Sequence, residues 1–229
     1  MAGRDPAERK SPPPRSFKMT IGRTDVHLLG CIKGLTNEAA LVAPTIIDLM
    51  PDLIGLHIGP EELLGLGAVL DGVVKDAELS SYERLYALRL SRYGEVQVPP
   101  PSLVQALRTA RGLDIPVEPL DMDDAEYSDV YAEHVGGITM IRQSLRFRKV
   151  GRTKFDDPGP EEFCIHWDGV VNRPRGFRAL ERERERRMAK RISSLAGKGG
   201  RQLHVLEYER MEGIQGFLSG AENPLDKIK

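Results

Sequence analysis

The chain has 229 residues, 40% hydrophobic and 29% charged, enough for one sizeable core and too few for two comfortable domains. A formal net charge of -1 gives no overall field that would draw it to nucleic acid or an anionic membrane. No apolar run reaches the roughly 18 residues of a bilayer span, because Asp48 and Asp52 interrupt the longest one. The proline-rich, charged start has no hydrophobic segment, so residues 1–18 read as a disordered basic tail and 19–229 as a single domain. Cys31 and Cys164 lie in apolar contexts without C-x-x-C spacing and read as buried thiols, which points to the cytoplasm.

In chain order, "DVHLLGC" (25–31) predicts a first strand. Thr36 or Asn37 then caps a helix through "EAALVAPTIIDLM", with Pro44 as a kink. "DLIGLHIG" (52–59) predicts the second strand, and Pro60 opens the next helix, "PEELLGLGAVLDG". "SSYERLYALRLSRYG" predicts a helix stopped at Gly94, and Ser102 caps another that ends near 111. "IPVEPLD" (115–121) is the third strand, followed by a long helical tract over "DDAEYSDVYAEHVGGITMIRQSLRF", loosened at Gly136 and Gly137. "GPEEFCIHWDGVV" and "FRALERERERRMAKRISSLA" predict two more helices, "QLHVLEYE" (202–209) the fourth strand, and "MEGIQGFLSG" a closing helix. Alternating strands and helices imply a helix-rich α/β fold with a mainly parallel sheet covered on both faces.

In such sheets ligands gather beyond the carboxyl ends of the strands. Those ends carry Lys33, His57, Asp121, and the group Glu207, Glu209 and Arg210. Each also has a plain structural reading: Asp121 as a helix-entry cap, His57 as a hydrogen-bonded core imidazole, the others as solvated charges. In an extended strand Glu207 and Glu209 face one side and Arg210 the other, so they converge only if the chain turns there. Helical spacing puts Arg184 in the apolar stripe of Phe177, Leu180, Met188, Ile192 and Leu195. Its charge persists on burial, so Asp121, Glu207 or Glu209 should pair with it. Between 173 and 201 eleven Lys or Arg face three Glu, which keeps a nucleic-acid or phospholipid surface in view, but interleaved glutamates favour ion pairs along the helix. The histidines at 27, 57, 134, 166 and 204 form no pair at helical ligand spacing, and no P-loop, G-x-S-x-G elbow or H-E-x-x-H occurs, so no cofactor or metal is expected.

Taken in order, "VHLLGCIK", "PDLIGLHIG", "GLDIPVEPLD", "ERERERRMAKRI" and "VLEYERMEGIQGFL" resemble the TraB family, pheromone-shutdown-like proteins related to the Tiki proteases and the erythromycin-esterase and ChaN-like folds. The resemblance covers residues 25–220. Family members carry G-x-x-H after the first strand, a glutamate ending the second, Glu-Arg-Asp before Met-Ala, and a second G-x-x-H before the last helix. Here those positions hold Lys33, His57, Glu183-Arg184-Glu185 before Met188-Ala189, and Arg210. The resemblance implies a hydrolase scaffold whose metal-assisted or general-base histidines have become cations, and a protonated lysine or arginine does not ligate metal. The leading expectation is a metal-independent binding or regulatory protein that accepts a small anionic ligand at Lys33, His57, Asp121, Arg184, Glu207 and Arg210. The alternatives are an ester or amide hydrolase using His57, Glu207 and Glu209, and an interaction protein acting through the Arg-rich helix. The same residues also allow a purely internal ion-pair network.

Overall fold

A computed structural model describes residues 12–73, 79–137 and 150–220. Among these, five strands form one mixed sheet: β1 (Ser16–Ile21), β2 (Thr24–Cys31), β3 (Leu53–Leu56), β4 (Val117–Pro119) and β5 (Gly200–Glu207), in the order β1-β2-β5-β3-β4. The β2-β5, β5-β3 and β3-β4 pairs are parallel, and β1 runs antiparallel to β2 at the edge. Eight helices of eight or more residues pack around it: α1 (Ala39–Leu49), α2 (Pro60–Leu70), α3 (Ser81–Leu90), α4 (Pro101–Gly112), α5 (Asp124–His134), α6 (Pro160–Val171), α7 (Arg175–Ala196) and α8 (Met211–Leu218). None is long and apolar enough to cross a membrane.

Side chains alternate along each strand and divide the core in two. Leu29 and Cys31 of β2 and Leu203 and Val205 of β5 join Val42, Ile46, Leu66, Ala106 and Ala110 of α1, α2 and α4 on one face. Val26, Leu28 and Leu206 meet Met188, Ile192, Met211 and Ile214 of α7 and α8 on the other. Beyond the strand ends a third cluster holds Ile32, Leu35, Leu90, Phe163, Trp167 and Tyr208, which closes the region with α3 and α6.

The strand β1 lies where a disordered tail was expected: Ser16, Phe17 and Lys18 are paired with Leu29, Leu28 and His27 of β2. Its alternation is half exposed, as suits an edge strand, so it carries a weaker hydrophobic signal than the central strands. The chain before it is tied down as well. Arg15 bonds Glu38 at 2.7 Å and Glu161 at 2.9 Å, and Tyr208 Oη donates to Pro13 O.

Two helix starts differ from expectation for local reasons. Thr36–Glu38 is a 3-10 turn, and α1 begins only at Ala39. Glu38 is spent elsewhere, accepting from Ile32 N at 3.0 Å and pairing with Arg15. In α4, Pro101 takes the first helical position, which its fixed φ suits, and Ser102 is buried in the first turn instead of capping it. In the expected long tract after Asp123 the first helix ends at His134, next to the glycines where loosening was expected, and the portion from 138 to 149 lies outside the described residues.

Candidate functional site: a charged floor beneath an aromatic-walled cavity

Gly34 adopts φ +104°, a left-handed conformation open to glycine, so the chain turns directly after Lys33 and leaves that side chain at the end of β2. At the end of β5 the backbone turns again, through the 3-10 segment Tyr208–Arg210. That turn answers the extended-strand objection, and Glu207, Glu209 and Arg210 all line one cavity. The cavity encloses about 810 Å³, and Lys33, Glu181, Arg184, Tyr82, Tyr86 and Trp167 also face it.

Lys33 Nζ lies 3.1 Å from Glu207 Oε1, and its side chain remains 42% exposed. The charge of Glu207 raises the lysine above its ordinary range. Burial works to raise Glu207, but Lys33, His57 and Arg184 outweigh it and hold this carboxyl low. His57 sits just below, not among the cavity-lining residues, with its Nδ1 accepting from Glu207 N at 2.9 Å. The proton of the neutral ring is therefore on Nε2, aimed between Asp121 Oδ2 at 3.7 Å and Glu207 Oε2 at 4.0 Å. Burial lowers His57 to about 4, so near neutral pH it is uncharged, and its buried Nε2 has no hydrogen-bond partner among the described residues.

Asp121 is the partner of Arg184: Nε reaches Oδ2 at 3.1 Å, and Nη2 makes a second, shorter contact. It also accepts from Met122 N at 2.8 Å. Burial pushes Asp121 up, and Arg184 more than offsets it, so the acid stays ionised. Arg184 continues the network to Glu181 at 2.9 Å. Arg210 is buried among Glu185 at 3.0 Å, Glu181 at 3.6 Å and Asp168. Burial lowers Arg210 to about 10, so it stays charged at neutral pH, while burial and the charge of Glu181 raise Glu185 to about 8. Each of the three cations at the site thus has a carboxylate within the protein. This is the internal network that the sequence allowed beside an anion site.

Glu209 differs from its neighbours. Its Oε2 is buried and has no hydrogen-bond partner among the described residues. Burial and the adjacent negative charge of Glu207 raise it to about 8, so one carboxyl of the pair is charged at neutral pH and the other is largely protonated. The aromatic wall was not singled out from the sequence. Tyr82 and Tyr86 of α3 lie 5.8 and 5.5 Å from Trp167 of α6, and Trp167 Nε1 donates to Tyr82 Oη at 2.9 Å. Tyr82 and Tyr86 stand one helical turn apart, which was a readable signal for one face but not for what that face meets.

A metal of the kind implied by the TraB resemblance does not fit these residues. Among the described residues no group of three or more His, Cys, Asp or Glu is placed to hold one, and Lys33 and Arg210 are cations paired with carboxylates. The Arg-rich helix α7 spends much of its charge internally: Arg186 and Arg187 on Glu183, Arg187 and Arg191 on Glu126 of α5. Comparison with family models matches none of them, and comparison with curated proteins finds no match.

Proposed function

We propose that the chain is a divergent TraB-like binding or regulatory protein, and that the cavity over the strand ends takes a small organic molecule. The observation that supports this most directly is an aromatic-walled space of about 810 Å³ whose floor is already neutralised by fixed ion pairs. Such a floor is pre-organised, with orientation set by a few polar groups and affinity by apolar wall. An anionic group on the ligand would meet Lys33, which uses one of its three donors on Glu207 and is the most accessible cation of the floor.

Hydrolysis of an ester or amide is the second reading. It is favoured by the split between Glu207, held ionised, and Glu209, raised to about 8, an arrangement that provides a base and an acid side by side. In this version His57 positions Glu207 and does not act as the base, because its Nδ1 is occupied and its Nε2 carries the proton.

Trp167 is the single tryptophan and lines the cavity, so its emission reports occupancy. A panel of small carboxylates, phosphates, amines, esters and amides titrated against this signal should give saturable binders. Those with an anionic group should weaken several-fold in Lys33→Ala. Turnover of an ester or amide that Glu209→Gln abolishes would transfer the assignment to the hydrolase. No change in Trp167 emission with any member, together with no turnover, would sink both.

A further inference from the structure

Six carboxyl groups line the cavity, Glu62, Glu83, Asp168, Glu181, Glu207 and the largely protonated Glu209, against the three cations Lys33, Arg184 and Arg210. Since those cations are already engaged by Glu207, Asp121, Glu181, Glu185 and Asp168, the lining as a whole favours added positive charge. One position concentrates that demand. The buried Oε2 of Glu209 has no hydrogen-bond partner among the described residues, and a buried unsatisfied oxygen costs more than a satisfied one gains. Beside it stand Tyr82, Tyr86 and Trp167, whose ring faces carry the negative end of a quadrupole.

We infer that the ligand of this cavity carries a basic nitrogen, an alkyl or arylalkyl ammonium group, that binds at Glu209 against the wall of Tyr82, Tyr86 and Trp167. This rests on the cavity being a small-molecule site and specifies what that molecule presents. It places the principal anchor at Glu209, with Lys33 left for any anionic end of the same ligand.

The inference carries a proton balance. Glu209 is raised to about 8, so at neutral pH it enters as the acid. An ammonium ion converts it to carboxylate, and the acid proton leaves to solvent while the nitrogen keeps its own. The groups bearing on Glu209 are Lys33 from the turn after β2, Glu207 from β5, Glu181 from α7, Tyr82 and Tyr86 from α3, and Cys164 from α6. Burial keeps both tyrosines and the thiol neutral through this range, while Lys33 stays charged and Glu207 ionised. Ammonium affinity should therefore rise with pH from 6 to 8, approaching tenfold per unit while the acid form prevails.

Three arenes of one size supply the test, with Trp167 emission as readout: benzylammonium, benzyl alcohol and benzoate. The expected order places benzylammonium about tenfold or more tighter than benzyl alcohol, with the ammonium alone gaining affinity from pH 6 to 8. Glu209→Gln should erase the ammonium preference and leave benzyl alcohol within about twofold. The preference in the wild type needs no variant, so a Glu209 substitution that fails to fold does not spoil the test. Benzyl alcohol or benzoate binding as tightly as benzylammonium would overturn the inference and leave the cavity reading standing. Silence from all three probes would overturn both.

Discussion

His204 lies on β5 with neither ring nitrogen bonded among the described residues, in a position without solvent access. A Cβ on Gly55 of β3 would come within 2.2 Å of its Nδ1, so the imidazole fits only because β3 has a glycine beside it. Burial drives His204 to about 3, and the ring is neutral in the fold at any ordinary pH. Removing both polar atoms while keeping the volume should therefore help. His204→Leu is expected to raise stability by about 1–2 kcal/mol at pH 7 in urea denaturation; a loss would mean that the nitrogens make a contact worth keeping. His57 is equally neutral but satisfied at Nδ1 by Glu207 N, so the same substitution there would cost the floor its orientation.

At the scale of elements, the segment leading into β1 acts as a strap. Arg15 joins Glu38, which is 1% exposed, to Glu161 of α6, and Glu38 in turn holds Ile32 N just before the Lys33 turn. Arg15→Ala would leave a buried carboxylate facing no cation. A loss of about 2 kcal/mol is expected, discounted because the arginine itself is partly exposed, together with faster amide exchange across β1. Unchanged exchange at Phe17 and Met19 would show that β1 holds to β2 without the strap. This element also shows where sequence reading stopped. Arg15 looked like a tail charge because its two partners lie 23 and 146 residues away, and no local pattern encodes such a distance.

Across the whole molecule, the buried titratable groups pull stability in opposite directions with pH. His57 and His204 have folded values near 4 and 3 against 6.5 unfolded, so below 6.5 the unfolded chain binds protons that the fold does not. Their contribution is complete above 6.5 and is lost as pH falls, at about 1.4 kcal/mol per unit for each group. Glu209 acts the other way: the fold keeps its proton up to about 8 while the unfolded chain releases it near 4.5, so stability declines as pH rises between them. Glu185, raised to about 8 by burial and the nearby Glu181, acts in the same direction as Glu209. Two histidines and two carboxyls nearly balance between about 4.5 and 6.5, and above 6.5 the carboxyls are left alone. Stability should therefore be nearly level from about pH 5 to 6.5 and fall above it, with the fall reduced in Glu209→Gln and with stability rising toward acid below 6.5 in His204→Leu. A monotonic rise from pH 5 to 8 in denaturant midpoints would contradict this balance.

The central strands, the α/β alternation and the inward placement of Arg184 are legible along the chain, because hydrophobic period and charge in an apolar stripe are local signals. The sequence also marked Lys33, His57, Asp121, Glu207, Glu209 and Arg210 as strand-end residues. Tertiary structure decided what those residues do to one another. The turn at Tyr208–Arg210 brings Glu209 and Arg210 to the same cavity, and parallel pairing of β2, β5 and β3 sets Lys33, Glu207 and His57 side by side. Packing against α3 and α6 supplies the aromatic wall, and neutralisation of the floor cations follows from long-range contacts of Lys33 with Glu207, Arg184 with Asp121 and Arg210 with Asp168. Whether a charge is available to a ligand depends on its nearest counter-charge in space, and the order of residues along a chain does not contain that distance.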